Sequence, residues 1–223
     1  MPGELKIFGG RAHPELTEEI CAYLNLLPGN VSARNFSDGE VFCQIQGFFD
    51  VPVDHLFAAP VLLEAVRDLR LPDLVIVSPD AGGVERARAI AKRMDVGLAI
   101  VDKRRTAPNE ADVMFVIGEV DGCNALIVDD IIDTAGTLTK TVEALKAKGA
   151  KRVLAAGVHG VLSGPALQRI AASPVEAVLI TNTTPLDDKL ARSQKLRPLS
   201  VSALLGEAIR RIHENSSVSS LFV

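Results

Sequence analysis

Short apolar runs alternate with amphipathic stretches along most of this chain, and that alternation constrains the fold more than any other feature of the sequence. Apolar runs of this kind suit strands that are buried on both faces, and the amphipathic stretches suit helices that cover a sheet. A strand–helix–strand repeat is typical of βαβ units with parallel strands. The pattern therefore predicts an α/β fold with a doubly wound, mainly parallel sheet.

The boundaries of the predicted elements follow from apolar spacing and from the positions of Gly and Pro. The predicted strands are Leu5–Phe8, Val31–Asn35, Val41–Ile45, Leu74–Val77, Leu98–Val101, Val113–Ile117, Ala125–Val128, Val153–Gly157 and Ala177–Ile180. The predicted helices are Pro14–Leu27, Pro60–Arg70, Gly82–Met94, Thr137–Lys148, Pro165–Ala171 and Val201–Glu214. We predict a truncated N-terminal α/β subdomain over residues 1–46, a main domain over residues 47–215 and a tail over residues 216–223.

Composition and charge argue against several classes of function. A net charge of −4 offers no basic surface for nucleic acid, and a single Tyr with no Trp offers little aromatic surface for stacking on bases. No apolar run has the length of a membrane span, and residues 1–10 do not resemble a signal peptide. The three widely spaced cysteines form neither a disulfide framework nor a zinc pattern. We expect a cytoplasmic protein without nucleic-acid or membrane partners.

The strongest local feature is the segment from Asn124 to Thr137, where an apolar strand ends in Asp129 and Asp130 and a loop of small residues precedes a helix. Ligands of open α/β sheets bind beyond the carboxyl ends of the strands, and a helix N-terminus suits a phosphate. The two carboxylates can accept hydrogen bonds from sugar hydroxyls or hold hydrated Mg²⁺. A capping Asp in a tight turn would explain one carboxylate but not both.

Two further loops carry glycines or charges at strand ends. The glycines of Ser78–Gly83 permit a backbone whose N–H groups face an anion, and Asp80 can ligate a cation, although the segment alone could be an ordinary turn. Asp102–Arg105 bring three cations to a loop rich in breakers. Such a loop can stabilise a transferring phosphoryl group, although a solvated charge run has the same composition. The four histidines lack metal-pair spacing, and we interpret His159 as structural.

Together these loops resemble the ribose-phosphate diphosphokinases, also called phosphoribosyl-diphosphate synthases. Ordinary phosphoribosyltransferases share only the Asp-Asp…Thr loop and the fold. The resemblance covers almost the whole chain and includes Lys6-Ile7-Phe8, Phe36-Ser37-Asp38-Gly39-Glu40, Gln44-Ile45-Gln46-Gly47-Phe48-Phe49-Asp50, Ser78–Gly83, Lys103-Arg104-Arg105 and Val128–Thr137. It implies a phosphoribosyltransferase-type fold, Mg²⁺ as cofactor, ribose 5-phosphate and ATP as substrates, and a homo-oligomer.

The resemblance also implies a role for each motif in the attack of the sugar 1-hydroxyl on the β-phosphate of ATP, which releases AMP. Ribose 5-phosphate would be held by Asp129 and Asp130 at its hydroxyls and, at its phosphate, by Asp133, Thr134, Ala135, Gly136 and Thr137. The transferred diphosphate and its Mg²⁺ would lie on Asp80, Ala81, Gly82 and Gly83, with Asp80 as the metal ligand. The catalytic cations would be Lys103 and Arg105. The adenine of ATP bound to a neighbouring subunit would be reached by Phe36, Asp38 and Glu40.

The chain departs from the family pattern in its N-terminal part. In the family, a segment like Glu40–Gln46 is followed by strands and helices that carry an Arg-Gln-Asp ATP loop and a catalytic Asp-Leu-His, with a Gln-Ile-Gln-like triplet on both sides of that block. Here Phe42-Cys43 runs directly into Gln44-Ile45-Gln46. A deletion between two short repeats would leave this sequence. We therefore interpret residues 1–46 as a remnant of the ATP-side domain and expect an oligomer that differs from the family's ring-like hexamer.

Three functions remain open from the sequence alone. The first is an active, shortened synthase, and the second is a non-catalytic or regulatory protein that binds ribose 5-phosphate or phosphoribosyl diphosphate. The third is a phosphoribosyltransferase acting on a base. It needs a base-specific hood, which we do not find, and it leaves Ser78–Gly83 and Lys103–Arg105 without a specific role.

Overall fold

This computed structural model describes residues 5–7, 13–29, 56–104 and 113–222. The chain divides into two compact units, one formed by Met1–Pro60 with Val201–Val223 and the other by Val61–Ser200. The predicted strands Val31–Asn35 and Val41–Ile45 lie outside the described residues. No helix in the described parts of the chain has the length and apolar character needed to cross a bilayer.

The larger unit contains a seven-stranded sheet. Its strands are β1 (Leu74–Ser78), β2 (Gly97–Arg104), β3 (Val113–Ile117), β4 (Asn124–Ile131), β5 (Arg152–His159), β6 (Val178–Thr181) and β7 (Leu196–Leu199). Their order is β3-β2-β1-β4-β5-β6-β7, and every neighbouring pair is parallel except β2 with β3. The prediction of a mainly parallel α/β sheet is therefore confirmed.

Seven α-helices occur among the described residues. They are α1 (Pro14–Tyr23), α2 (Ala59–Asp68), α3 (Val84–Met94), α4 (Gly136–Ala147), α5 (Ala166–Ala172), α6 (Asp187–Leu190) and α7 (Ser202–His213). A short 3₁₀ helix, Ser219–Phe222, follows them. The predicted helix Pro14–Leu27 is too long, because Asn25 has a left-handed φ of 57° that ends the helix after Tyr23. The described residues 5–7 are not in a strand, contrary to the prediction for Leu5–Phe8.

Helices cover both faces of the sheet, and the alternation of side chains along β1 shows how. Val75 and Val77 belong to the apolar cluster that includes Val142 of α4, whereas Ile76 belongs to the cluster that includes Leu62 of α2. Successive residues of a strand point to opposite faces, so an uninterrupted apolar run is what a sheet buried on both faces requires. Each fully buried side chain of this size contributes roughly 1.5–3 kcal/mol relative to an exposed one. The doubly wound arrangement is thus a direct result of these runs.

The smaller unit includes the packing of α1 against α7. Gly206 of α7 faces the ring of Tyr23, and a Cβ atom at Gly206 would lie 2.4 Å from that ring. The Tyr23 hydroxyl lies 3.3 Å from a carboxylate oxygen of Glu207. A side chain larger than hydrogen at position 206 would therefore separate these two helices.

The strand order creates a crevice at a defined place in the sheet. From β1 the chain passes outward to β2 and β3, then returns to β4 on the other side of β1 and continues outward to β5. The winding direction therefore reverses between β1 and β4. In open α/β sheets the loops at such a switch point diverge, and ligands bind between them at the carboxyl ends of the strands.

Candidate functional site

Two of the predicted loops lie side by side at this switch point. β1 and β4 are parallel neighbours, with Val77 opposite Ile127, so the loops that follow them leave the same edge of the sheet. One loop leads from Ser78 into α3, and the other leads from Ile131 into α4. The two loops therefore lie at the same edge of the sheet, next to each other.

The loop after β1 is held in shape by its own side chains. The Ser78 hydroxyl donates to the carbonyl oxygen of Asp80 at 2.7 Å, and the Gly83 N–H donates to Oδ1 of Asp80 at 2.8 Å. A Cβ atom at Gly83 would lie 2.8 Å from Ser78 Oγ, so glycine is needed there for close approach. Asp80, Ala81 and Gly82 are exposed.

The loop after β4 surrounds a small cavity at the start of α4. Asp129 and residues 131–138 line this cavity of about 150 Å³. Ala135 has a left-handed φ of 56° and immediately precedes the first helical residue, Gly136. The N–H groups of the first helical turn have no partner within the helix, so this end of α4 can bind an anion. The exposed hydroxyl-bearing residues Thr134 and Thr137 lie beside it.

The loop that follows β5 is hydrogen-bonded to the loop that lines this cavity. The N–H of Leu162 donates to the carbonyl oxygen of Ile132 at 3.0 Å, and the N–H of Ser163 donates to that of Asp133 at 3.1 Å. The Ser163 hydroxyl also bonds the Asp133 carboxylate. From α5, Nη1 of Arg169 donates to the carbonyl oxygen of Thr134 at 3.0 Å. These supporting residues have no local sequence signature, because each contact depends on tertiary structure.

Arg86 connects the two strand-end loops and was missed by the sequence analysis. It lies in the first turn of α3, three residues after Gly83. Its Nη2 is 2.6 Å from Oδ2 of Asp130, and its Nη1 is 3.9 Å from Oδ1 of Asp129. The only available signal was its position one helical turn beyond a glycine loop, and α3 carries other arginines as well.

The two adjacent carboxylates have different proton affinities. Burial, with smaller contributions from the neighbouring Asp130 and Asp80, raises the pKa of Asp129 to about 6. Burial also acts to raise the pKa of Asp130, but the charge of Arg86 and hydrogen bonds from neighbouring groups outweigh it, so that pKa is lowered. Asp130 therefore carries its charge readily, whereas Asp129 holds a proton more strongly than an ordinary aspartate does.

The predicted catalytic cations begin on β2 and continue past the described residues. β2 runs to Arg104, beyond the predicted strand end at Val101, because β3 pairs antiparallel with it and places Lys103 opposite Met114. Arg105 lies outside the described residues, as do the predicted ATP contacts Phe36, Asp38 and Glu40. The backbone of Lys103 therefore belongs to a strand rather than to the predicted loop.

Other polar features of the larger unit do not add to this site. Nδ1 of His159 is 2.9 Å from the hydroxyl oxygen of Thr183, in agreement with a structural role. The described residues contain no cluster of three or more metal-ligating side chains. A larger groove, about 600 Å³, lies away from both loops and is bordered by the ion pair of Arg152 with Glu176. None of the described residues that line this groove is a glycine.

The fold and the site define a protein that combines a phosphoribosyltransferase-like sheet with a glycine loop and a carboxylate-bearing loop at its switch point. Residues 102–223 match the family described as "Phosphoribosyl synthetase-associated domain", and residues 5–57 match the "N-terminal domain of ribose phosphate pyrophosphokinase". This chain belongs to the ribose-phosphate pyrophosphokinase family, which confirms the resemblance inferred from the sequence.

Individual relatives agree with this assignment. A ribose-phosphate pyrophosphokinase of Aquifex aeolicus is 53% identical over 180 residues, which cover 80% of this chain and 57% of the relative. One of Synechocystis is 49% identical over 208 residues, which cover 92% of this chain and 62% of the relative. The crystal structure of phosphoribosylpyrophosphate synthetase from Mycobacterium smegmatis aligns with a TM-score of 0.83 at 29% identity, covering 96% of this chain and 100% of that one. The chain spans little more than half the length of the first of these curated relatives.

Proposed function

We propose that this chain is a ribose-phosphate diphosphokinase, which transfers the diphosphoryl group of ATP to the 1-hydroxyl of ribose 5-phosphate. The observation that carries the proposal is the convergence of the Asp80–Gly83 loop and the Asp129–Thr137 loop at one switch point. A sugar phosphate and a transferring diphosphate need two adjacent anion sites with hydroxyl acceptors between them. Family membership and the names of the relatives support the same activity.

The cavity after β4 is the proposed site for the 5-phosphate. Its position at the N-terminus of α4 supplies backbone N–H donors, and the hydroxyls of Thr134 and Thr137 supply further ones. The ribose ring would then extend toward Asp129 and Asp130, whose carboxylates accept hydrogen bonds from the vicinal hydroxyls. Asp130 remains charged over a wide pH range and is the stronger acceptor.

The loop after β1 is the proposed site for the transferred diphosphate. Residues 80–82 are exposed, and Asp80 is close enough to Asp129 for its charge to act on that carboxyl, so the attacking hydroxyl and the diphosphate can meet in one crevice. Mg²⁺ is typically bound by one or two carboxylates together with substrate phosphates, and Asp80 fits such a donor set. When bound there, Mg²⁺ would neutralise charge on the phosphates.

The remaining roles fall to residues that the resemblance assigns. In the proposed reaction, the sugar oxygen bonds to the β-phosphorus, the bond from that phosphorus to the α–β bridging oxygen breaks, AMP leaves, and the hydroxyl proton passes to water. Lys103 and Arg105 would stabilise the negative charge on the diphosphate during transfer. ATP held by a neighbouring subunit would be contacted by Phe36, Asp38 and Glu40, so we propose a homo-oligomer. We also propose that the protein acts in the cytoplasm.

An AMP-release assay with ATP, ribose 5-phosphate and Mg²⁺ tests this function. We expect AMP formation that depends on ribose 5-phosphate and is lost in Asp130→Asn. The exposed Asp188→Asn in α6 is the matched control and should behave as the wild type. Ribose 5-phosphate binding without AMP release would replace the proposed activity with a non-catalytic sugar-phosphate binder, and the absence of binding would contradict both functions.

A further inference from the structure

Arg86 is in a position to contact both halves of the proposed site. Its guanidinium carries the 2.6 Å pair with Asp130, while its Nη1 lies only 3.5 Å from the point that a Cβ of Gly83 would occupy. Oδ1 of Asp80 is also 3.5 Å from that point. The charged end of Arg86 is therefore next to the loop proposed for the diphosphate and next to the carboxylate proposed for the sugar.

Each oxygen of Asp130 accepts one hydrogen bond in the free chain. Oδ1 accepts the backbone N–H of Ile131 at 2.9 Å, and Oδ2 accepts Nη2 of Arg86 at 2.6 Å. A carboxylate oxygen has two acceptor sites, so a vicinal diol competes with Arg86 where it approaches Oδ2 from the side that the guanidinium occupies. A diphosphate that lies on the Asp80–Gly83 loop offers the released guanidinium a new anionic partner, and guanidinium–phosphate pairs are among the strong charge-assisted bonds.

The exchange of partners is energetically accessible. The side chain of Arg86 is 35% exposed and that of Asp130 is 52% exposed. An ion pair with this exposure changes an equilibrium constant by less than about five-fold. Arg86 is anchored on the first turn of α3, so rotation about its side-chain bonds is sufficient and the helix does not need to move.

We propose that Arg86 couples the two halves of the site by holding Asp130 in the free chain and turning to the diphosphate when the sugar hydroxyls take its place. This inference rests on the proposed function, because it requires a sugar phosphate and a diphosphate to bind together. Sugar binding frees the cation that the diphosphate needs, and diphosphate binding removes the competitor from Asp130. Each ligand therefore increases the affinity for the other by the same factor.

Calorimetric titration tests the coupling. The affinity for ribose 5-phosphate is measured alone and at saturating inorganic diphosphate with Mg²⁺, and the affinity for diphosphate is measured alone and at saturating ribose 5-phosphate. For the wild type we expect each ligand to increase the affinity for the other by about two- to five-fold, because the coupling cannot exceed the strength of the ion pair that is released. In Arg86→Gln we expect that factor to fall to near one and diphosphate to bind about ten-fold more weakly. Ribose 5-phosphate alone should bind Arg86→Gln as tightly as the wild type or up to about five-fold more tightly.

Two further variants separate coupling from a structural role. Arg86→Lys keeps the charge without the planar fork, so part of the diphosphate affinity should return. Arg88→Gln removes an exposed arginine of the same helix that pairs with Glu85, and it should retain the full coupling. If Arg86 has only a structural role, Arg86→Gln should bind both ligands more weakly to the same extent and should have a lower melting temperature.

The outcomes distinguish the inference from the function on which it rests. Arg86→Gln with its coupling intact, or with both ligands weakened equally, overturns the inference and leaves the proposed function standing. The same holds if the wild type binds both ligands independently. A wild-type chain that binds neither ligand overturns the proposed function, and the inference with it.

Discussion

Replacement of Gly83 by Ala introduces one methyl group at the tightest point of the loop after β1. The added carbon would lie 2.8 Å from Oγ of Ser78, which is itself fully buried and bonded to the carbonyl oxygen of Asp80. Relief of this contact requires Ser78 to turn away and lose that bond, at a cost of about 1–3 kcal/mol. The φ of −84° at Gly83 is allowed for Ala. The substitution also lowers the conformational entropy of the unfolded chain, which offsets about 0.4–1 kcal/mol of that cost. We expect a net loss of about 1–2 kcal/mol in the free energy of unfolding.

Urea unfolding of Gly83→Ala, Ser78→Ala and the double variant measures this interaction as a cycle. Because Ser78→Ala removes the clashing oxygen, the cost of Gly83→Ala in that background should fall below about 0.5 kcal/mol. Gly82→Ala is the matched control, since the nearest atom to its Cβ would be 3.4 Å away, an ordinary contact. If Gly83→Ala is as stable as Gly82→Ala, or if its cost does not change when Ser78 is removed, the steric argument is refuted.

Three further predictions concern the loop after β4, the adjacent carboxylates Asp129 and Asp130, and the core. Arg169→Gln removes the bond to the carbonyl oxygen of Thr134, so ribose 5-phosphate should bind about five-fold more weakly in titrations, with little change in the free energy of unfolding. An unchanged affinity for ribose 5-phosphate would exclude a supporting role for Arg169. The pKa of Asp129 is raised to about 6, so the unfolded chain loses this proton first as pH rises. Between about pH 4 and pH 6, the free energy of unfolding of the wild type should therefore fall relative to that of Asp129→Asn, and parallel pH profiles would contradict the raised pKa. Leu145→Ala removes a fully buried side chain of α4 and should cost about 2–5 kcal/mol in chemical unfolding, and a cost below 1 kcal/mol would contradict its place in the core.

The central strands could be predicted because they are buried on both faces, so each appears in the sequence as a continuous apolar run. The final strand, β7, was missed because Arg197 and Pro198 interrupt that signal. β7 lies at the edge of the sheet, where a residue without an N–H is tolerated. The end of β2 was also missed, because Lys103 and Arg104 are in a strand only through their antiparallel pairing with β3.

The candidate site could be predicted as separate loops but not as a connected group. Glycines and paired carboxylates at strand ends have local sequence signatures, so the loops after β1 and β4 were found. Arg86 has no such signature, because its partner Asp130 is 44 residues away and comes near only when β4 pairs with β1. Ser163 and Arg169 were missed for the same reason, since they reach the loop after β4 from the loop after β5 and from α5.

The two backbone bonds from Leu162 and Ser163 to Ile132 and Asp133 have a consequence for the thermodynamics of ligand binding. They connect the loop after β4 to the loop after β5 in the free chain. A phosphate that enters this cavity would therefore meet donors already in place, and little backbone entropy would be lost on its arrival. Slow amide hydrogen exchange at residues 162 and 163 in the free chain would be the mark of such preorganisation, and saturating ribose 5-phosphate should slow it only slightly further.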